Sequence, residues 1–272
     1  MTLINKNLVI HSHYNLLFKG AGDACQVERS RNLTLKKIIG VLILLVCFSI
    51  KSNSQITCAK ITYERKTNLF KKFKSDNQKR WIKEEDKIKI DFFELYVTDS
   101  ISVFKPQESE LRENMSWTTQ KNTVYQNFNT QQRYIIKTMW GEEIHLNDSL
   151  FLRQWKITES SRKIAGYNCR KAIWQANDST RIYAWFSYDI LPSTGPESFN
   201  GLPGTILGLA TEDGGVIYFA KKVEVLNPIA TTFIIPKKKK IFTIKQLITD
   251  MDKRYSKEPW YKGMMYEQFG IW

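Results

Sequence analysis

Glu142, Glu143 and His145 are the residues whose types and spacing come nearest to metal chemistry in this 272-residue sequence. Metal-binding histidines come in sets, with partner ligands at fixed spacing. Of the three histidines, His11 and His13 lie far upstream near the N-terminus and His145 stands alone in the rest of the chain; no CxxC pair exists, and neither a zinc ribbon nor a thioredoxin-like redox centre is expected. No metal and no cofactor is therefore assigned, and His145 is read as a solvated loop residue. A Ser-His-Asp triad would have to use His145, and nothing around the serines marks a nucleophile. The acid pairs Glu84-Glu85 and Glu212-Asp213 fall in expected turns. Hydrolysis is left one route, two carboxylates brought together from distant positions by folding. No catalytic residue is assigned.

The stretch GPESFNGLPGTILGL, Gly195 to Leu209, concentrates glycine and proline ahead of an apolar run. A P-loop needs GxxxxGK[ST] and a dinucleotide loop needs GxGxxG opening a helix; neither is present. The GxSxG of a nucleophile elbow is absent too. Gly201-Leu202-Pro203-Gly204 matches a bare GxxG, but an RNA-clamping loop wants an exposed basic centre, not Leu-Pro. Gly195, Pro196, Gly201, Leu202, Pro203 and Gly204 are accordingly read as a rigid corner that serves shape, with prolines fixing φ and Gly204 at positive φ. Trp185 is expected to be partly buried beside it.

The elements that must position these residues are mostly strands. Short β-branched and aromatic runs recur with turn signals about every ten residues, the mark of a meandering antiparallel sheet. Hairpins are expected to turn at Glu84–Asp86, Asn127–Thr130, Ala176–Ser179 and Glu212–Gly215. One segment breaks the pattern. In FTIKQLITDMDKRY, Thr243 and Gln246 form a capping-box pair, and Ile244, Leu247, Ile248 and Met251 share a helical face. A single amphipathic helix over about 244–255 is predicted to pack on the sheet. The fold class is mainly β, a curved antiparallel sheet or half-barrel with this C-terminal helix.

The chain is basic, with 41 Lys+Arg against 27 Asp+Glu and a formal charge of +14. Its N-terminal third carries the compartment signal. Lys36-Lys37 precede an uncharged apolar run, Ile38 to Ile50, and then polar KSNSQ. A basic region, a short apolar core and a small-residue cleavage zone make a secretory signal peptide, and the run is short for a membrane anchor. Residues 33–55 are read as that signal, with a retained anchor, a buried helix or lipoprotein processing at Cys47 as competing readings. Residues 1–32 are read as a non-native or unstructured extension, the true start lying near Leu33 or Leu35, and 56–272 as a single domain. Two cysteines then stay with the mature chain, Cys58 and Cys169. In an oxidising compartment they are candidates for one disulfide, the other reading being two separately buried thiols. Export removes the protein from nucleic acid, so Lys71-Lys72, Lys221-Lys222 and Lys237–Lys240 are read as solvated charge or as contacts for anionic lipid or polysaccharide.

IAGYNCRKA, RIYAWFSYDILPSTGP and FNGLPGTILGL, in this order and close together, resemble the GLPGLI family of exported Bacteroidota proteins. Tyr167, Cys169, Lys171 and Ala172 fit the first family element, and Arg181, Ala184 and Trp185 the second. Gly195 and Pro196 fit the turn, and Gly201, Leu202, Pro203, Gly204 and Ile206 the last, with Thr205 where the family has Leu. The resemblance implies a β-rich periplasmic or cell-surface protein of unknown biochemical role and transfers no catalytic residue. Two function classes remain. The first is an exported non-catalytic binding or envelope-assembly protein, its partner an envelope protein or an apolar or anionic lipid ligand. The second is an envelope hydrolase whose carboxylates meet on folding. Buried acids converging on a pocket would favour the hydrolase, and an apolar, acid-free concavity the binder.

Overall fold

The computed structural model describes residues 55–73, 75–108, 115–227, 235 and 240–269. The expected extension (1–32) and signal segment (33–55, Gln55 excepted) lie outside them, as do Lys237, Lys238 and Lys239. The described residues belong to one unit, Ser54–Trp272.

Eleven strands form one open antiparallel sheet: β1 (Ala59–Asn68), β2 (Ile88–Val97), β3 (Ile101–Pro106), β4 (Thr123–Asn127), β5 (Gln132–Met139), β6 (Glu142–Ser149), β7 (Lys156–Ile164), β8 (Tyr167–Asn177), β9 (Thr180–Ser187), β10 (Thr205–Thr211) and β11 (Val216–Val225). Their spatial order is β6-β5-β4-β3-β2-β1-β11-β10-β9-β8-β7. The chain meanders outward from β1 to one edge, restarts at the other edge with β7, and returns until β11 pairs with β1 in the middle. The hairpin turns expected near Asn127–Thr130, Ala176–Ser179 and Glu212–Gly215 are present. Glu84–Asp86 is not a hairpin turn. It is a single 3₁₀ turn that follows a helical turn at Asp76–Lys79 and leads into β2, because the polar run before it has no apolar alternation to pair with.

The central strands β1 and β2 bury mainly one face, whereas β10 is buried on both. On β1, Ala59, Ile61, Tyr63, Arg65 and Thr67 alternate inward. On β2, Asp91, Phe93, Leu95 and Val97 do the same. Successive side chains of a strand point to opposite faces, so this parity is fixed once the apolar residues choose the inside.

The sheet curls over its own inner face. The β9–β10 connection contacts β3, β4 and β5, although β10 and β3 are four strand positions apart, about 19 Å in a flat sheet. Ser102 Oγ on β3 hydrogen-bonds Thr194 Oγ1 at 3.0 Å, and Tyr63 on β1 donates to the Ile206 carbonyl on β10 at 2.6 Å. Phe93, Phe104, Phe186, Phe199, Leu202 and Leu209 join in one apolar cluster inside the curl.

At one edge, Phe242 pairs with the β6 backbone, its N–H donating to His145 O and its carbonyl accepting from Asn147 N–H. This covers part of an otherwise open strand edge. Thr243 then caps α1 (Ile244–Tyr255). Its hydroxyl accepts from Gln246 N–H, and the Gln246 side chain accepts from Thr243 N–H, the capping box expected. Leu247 is the buried residue of the helix. The aromatic tail forms α2 (Tyr261–Phe269), and Tyr261 donates to Asp252 of α1 at 2.5 Å. Among the described residues no helix is long and apolar enough to cross a membrane.

Candidate functional site

Strand register builds the site. Arg65 on β1 stands directly opposite Asp91 on β2 and directly opposite Tyr218 on β11. All three face inward, so a carboxylate, a guanidinium and a phenol form a row across three central strands. Arg65 donates to Asp91 Oδ2 from Nη2 at 2.7 Å and from Nε at 3.2 Å, to the Gln120 carbonyl at 2.7 Å and to Tyr218 Oη at 3.2 Å. Its guanidinium also lies 4.6 Å from the centre of the Phe93 ring.

The fourth member comes from the glycine- and proline-rich corner. Glu197, 4% exposed, accepts from Tyr218 Oη at 2.9 Å on Oε1 and from Asn122 Nδ2 at 3.0 Å on Oε2. Arg65 Nη1 is 3.8 Å from its Oε1. The backbone that delivers this carboxylate is strained: Glu197 and Ser198 sit in succession at φ +53° and +69°. Left-handed backbone costs a non-glycine residue about 1–2 kcal/mol, so the surrounding contacts must hold both in place.

The electrostatics follow from this packing. Burial works against the Arg65 charge, but Tyr218, Asp91 and Glu197 outweigh it and hold the guanidinium above its ordinary value. Burial likewise raises Asp91, yet the charge and hydrogen bonds of Arg65, with the Thr119 hydroxyl at 3.0 Å, keep this 1%-exposed carboxyl below the usual range. Burial pushes Tyr218 well above an ordinary phenol.

Arg65, Tyr218 and Glu197 of this network floor a cleft of about 770 Å3. Thr67, Asn122 and Lys137 line it beside Arg65, Glu197 and Tyr218, and Gly263 and Tyr266 of α2 close one side. The β10–β11 turn forms part of the rim. There Glu212 accepts from Arg181 at 3.2 Å and from Tyr183 at 2.7 Å, and Lys71 donates to the Asp213 carbonyl. The cleft mixes fixed charges, hydroxyls and aliphatic stems, and can bind a molecule that hydrogen-bonds.

The residues singled out by sequence fare unevenly. Gly195, Pro196, Gly201, Leu202, Pro203 and Gly204 do form a corner, with Gly201 at φ +92° and Gly204 at φ +147°. Trp185 is half-buried, but on the outer face of the sheet. Its ring lies 5.5 Å from Phe219, with Arg162 at 5.4 Å, and it does not line the cleft. Cys58 and Cys169 are both buried and free, contrary to the bridge expected. Burial pushes the Cys169 thiol up to about 12.

His145 is not a solvated loop residue. It is 2% exposed within β6, Tyr134 Oη is 2.8 Å from its Nδ1, and Glu143 Oε2 is 3.6 Å from its Nε2. Among the described residues no group of three or more His, Cys, Asp or Glu side chains is placed to hold a metal. The sequence reading passed over Arg65, Asp91 and Glu197. The first two were detectable as charges at the inward parity of otherwise apolar strands. Glu197 carried no local signal, since its partners are Asn122 and Tyr218.

Residues 175–208 match a family described as a protein of unknown function (Porph_ging). The matched span runs from the end of β8 through Trp185 and the Glu197 corner into β10, within the segments that resemble the GLPGLI family. No curated protein matches the sequence. Among solved structures the chain is similar to two described as PNGF-II, in the P21 and C2 space groups. They show 15% and 16% identity, with TM-scores of 0.49 and 0.48. Each match covers 73% of this chain and 33% of the other, so the chain spans about a third of the length of those structures.

Proposed function

We propose that the protein is an exported, non-catalytic binding protein of the cell envelope that takes a polar, hydrogen-bonding ligand into the cleft inside its curled sheet. The observation that carries this reading is the buried row Arg65–Tyr218–Glu197, braced from behind by Asp91, which makes the floor of the cleft polar and rigid. Both Glu197 oxygens already accept hydrogen bonds, and Asp91 Oδ2 is held by Arg65 and Thr119. A general acid or base needs a carboxyl oxygen aimed at the reacting atom; these three are aimed at Tyr218, Asn122, Arg65 and Thr119. The cleft is neither apolar nor acid-free, so a ligand rich in hydrogen-bonding groups takes the place of the envelope protein or apolar or anionic lipid expected from sequence.

One observation favours the hydrolase. Glu197 is a buried acid at a cleft, held on strained backbone, and such strain gathers at functional sites. The two readings separate in one experiment. The full chain is incubated with short peptides and soluble oligosaccharides of envelope type, and thermal stability and product formation are both followed. A binder is stabilised by a member of the set without turnover, and Glu197→Gln weakens that stabilisation. Product formation that Glu197→Gln abolishes would overturn the binding reading in favour of the hydrolase.

A further inference from the structure

The other side of the same corner holds two inward arginines, Arg153 buried and Arg133 half-buried, that form no ion pair among the described residues. Arg133 lies on the inward face of β5, and Arg153 lies just before β7. Arg133 Nη1 donates to Ser198 Oγ at 3.3 Å, and Arg153 Nη1 donates to the Ser198 carbonyl at 3.1 Å, so both guanidinium groups converge on one residue. Arg153, 6% exposed, stacks 3.9 Å over the centre of the Phe199 ring, with Trp174 and Phe151 at 5.1 and 5.3 Å. Among the described residues neither arginine forms an ion pair. Asp148 stands opposite Arg133 in the β5–β6 register, but its oxygens accept from the backbone N–H groups of Ser149 and Ile244.

Several polar atoms here are buried with no hydrogen-bond partner among the described residues: Nε of Arg133, Nε of Arg153, Oε1 of Gln126, and both amide atoms of Asn200, which is 3% exposed. Buried polar groups are normally paired, and an unanswered buried charge is costlier still. The contrast with Arg65 is instructive. There two carboxylates hold the guanidinium above its ordinary value. Here burial pulls both guanidinium groups down, helped at Arg153 by the Arg133 charge and only partly opposed at Arg133 by the Asp148 carboxylate.

We propose that Arg133, Arg153 and Asn200 form a binding site for an oxoanion group, whether a phosphate, a sulfate or a carboxylate, carried on a ligand or free in solution. The incoming anion does for this pair what Asp91 does for Arg65. Guanidinium groups present paired N–H donors that match such oxygens in charge-assisted hydrogen bonds. The aromatic rings of Phe199 and Trp174 hold Arg153 in place without neutralising it. Because the site shares no side chain with the Arg65 network, it stands or falls independently of the polar-ligand reading.

The test is calorimetric titration of the full chain with sodium phosphate, sulfate and acetate at fixed ionic strength. One saturable site is expected. Tighter binding of phosphate or sulfate would identify a tetrahedral oxoanion, and tighter binding of acetate a carboxylate. Arg133→Gln and Arg153→Gln should each weaken it by about tenfold or more, the size of a lost charge-assisted hydrogen bond. Arg162→Gln, on the outer face, should leave it unchanged. Asn200→Asp guards against a variant that fails to fold. By supplying the missing charge internally it should raise the melting temperature and abolish the anion response. Absence of saturable binding, equal stabilisation by every salt, or an Asn200→Asp variant that is destabilised and still binds anion would each overturn the proposal.

Discussion

Replacing Gly204 by alanine asks whether the corner is rigid. At φ +147°, an added Cβ would meet the Ser187 carbonyl oxygen at 2.0 Å, the Ser187 carbonyl carbon at 2.8 Å and Tyr188 Cα at 3.3 Å. All three are backbone atoms, so no side chain can swing aside. Placing an L-residue at positive φ costs about 1–2 kcal/mol, and forcing the backbone apart adds about 1–3 kcal/mol. Together they give about 2–5 kcal/mol. For a domain of this size each kcal/mol moves the melting temperature by about 2–4 °C, so the loss is roughly 4–20 °C. Gly214 is the internal control. It also has positive φ, +67°, but an added Cβ would meet only Ile217 Cδ1 at 4.0 Å. Gly214→Ala should therefore show the conformational part alone, about 1–2 kcal/mol. Urea denaturation of both variants decides the matter. If Gly214→Ala costs as much as Gly204→Ala, the close approach of the corner to the end of β9 contributes nothing and the reasoning fails.

Asp91→Asn should destabilise the protein by about 3–5 kcal/mol at neutral pH, because it strands Arg65 inside the sheet. The folded-state pKa of Asp91 lies below its unfolded value of about 3.9. Its contribution is therefore fully present above that value and is lost as pH falls through the lowered folded pKa. The gap in urea midpoint between wild type and Asp91→Asn should thus shrink from pH 7 to pH 2, and a constant gap would count against the charged pair. Cys58 and Cys169 are free and buried, and burial raises both thiols. Peptide mapping after alkylation at pH 8 should find them modified only when the chain is unfolded first, and reductant should leave the melting temperature unchanged. Recovery of a Cys58–Cys169 disulfide peptide would refute this.

What could be read from sequence was whatever is local. The capping box at Thr243 and Gln246 depends on residues three apart, and the helix forms where that pattern places it. Three hairpin turns were likewise visible in their own residues. Readings failed where a distant segment decides. His145 sits in a polar stretch, and its burial depends on an arrangement that brings Phe242 alongside β6 from almost a hundred residues away. Whether Cys58 and Cys169 meet is set by the fold and not by their spacing along the chain, and the fold leaves both thiols free. The site is an intermediate case. Arg65 falls two residues after Tyr63 and four after Ile61, and Asp91 two before Phe93, so both were placed inward by simple alternation. A charge at such a position is either an error of register or half of a pair. Two of opposite sign on neighbouring strands should have raised the second reading.

The sequence assigns the corner to shape and not reaction, and the structure shows what that shape holds. A turn needs glycine where the chain reverses, and Gly201 and Gly204 supply that. It does not need left-handed backbone at Glu197 and Ser198, which lack glycine's freedom. Consecutive strain of this kind persists only when the surroundings over-determine it, and here the restraints on each side are polar. Asn122 and Tyr218 hold the Glu197 side chain toward Arg65, while Arg133 and Arg153 hold the hydroxyl and carbonyl of Ser198. One pair of strained residues thus separates a region where carboxylates pair with the buried arginine from one where the arginines form no ion pair among the described residues. Relaxing either residue to right-handed backbone would withdraw the acid from the cleft or the oxygens from the arginines. The glycine and proline frame is therefore better understood as the support that keeps those two residues where no unstrained turn would put them.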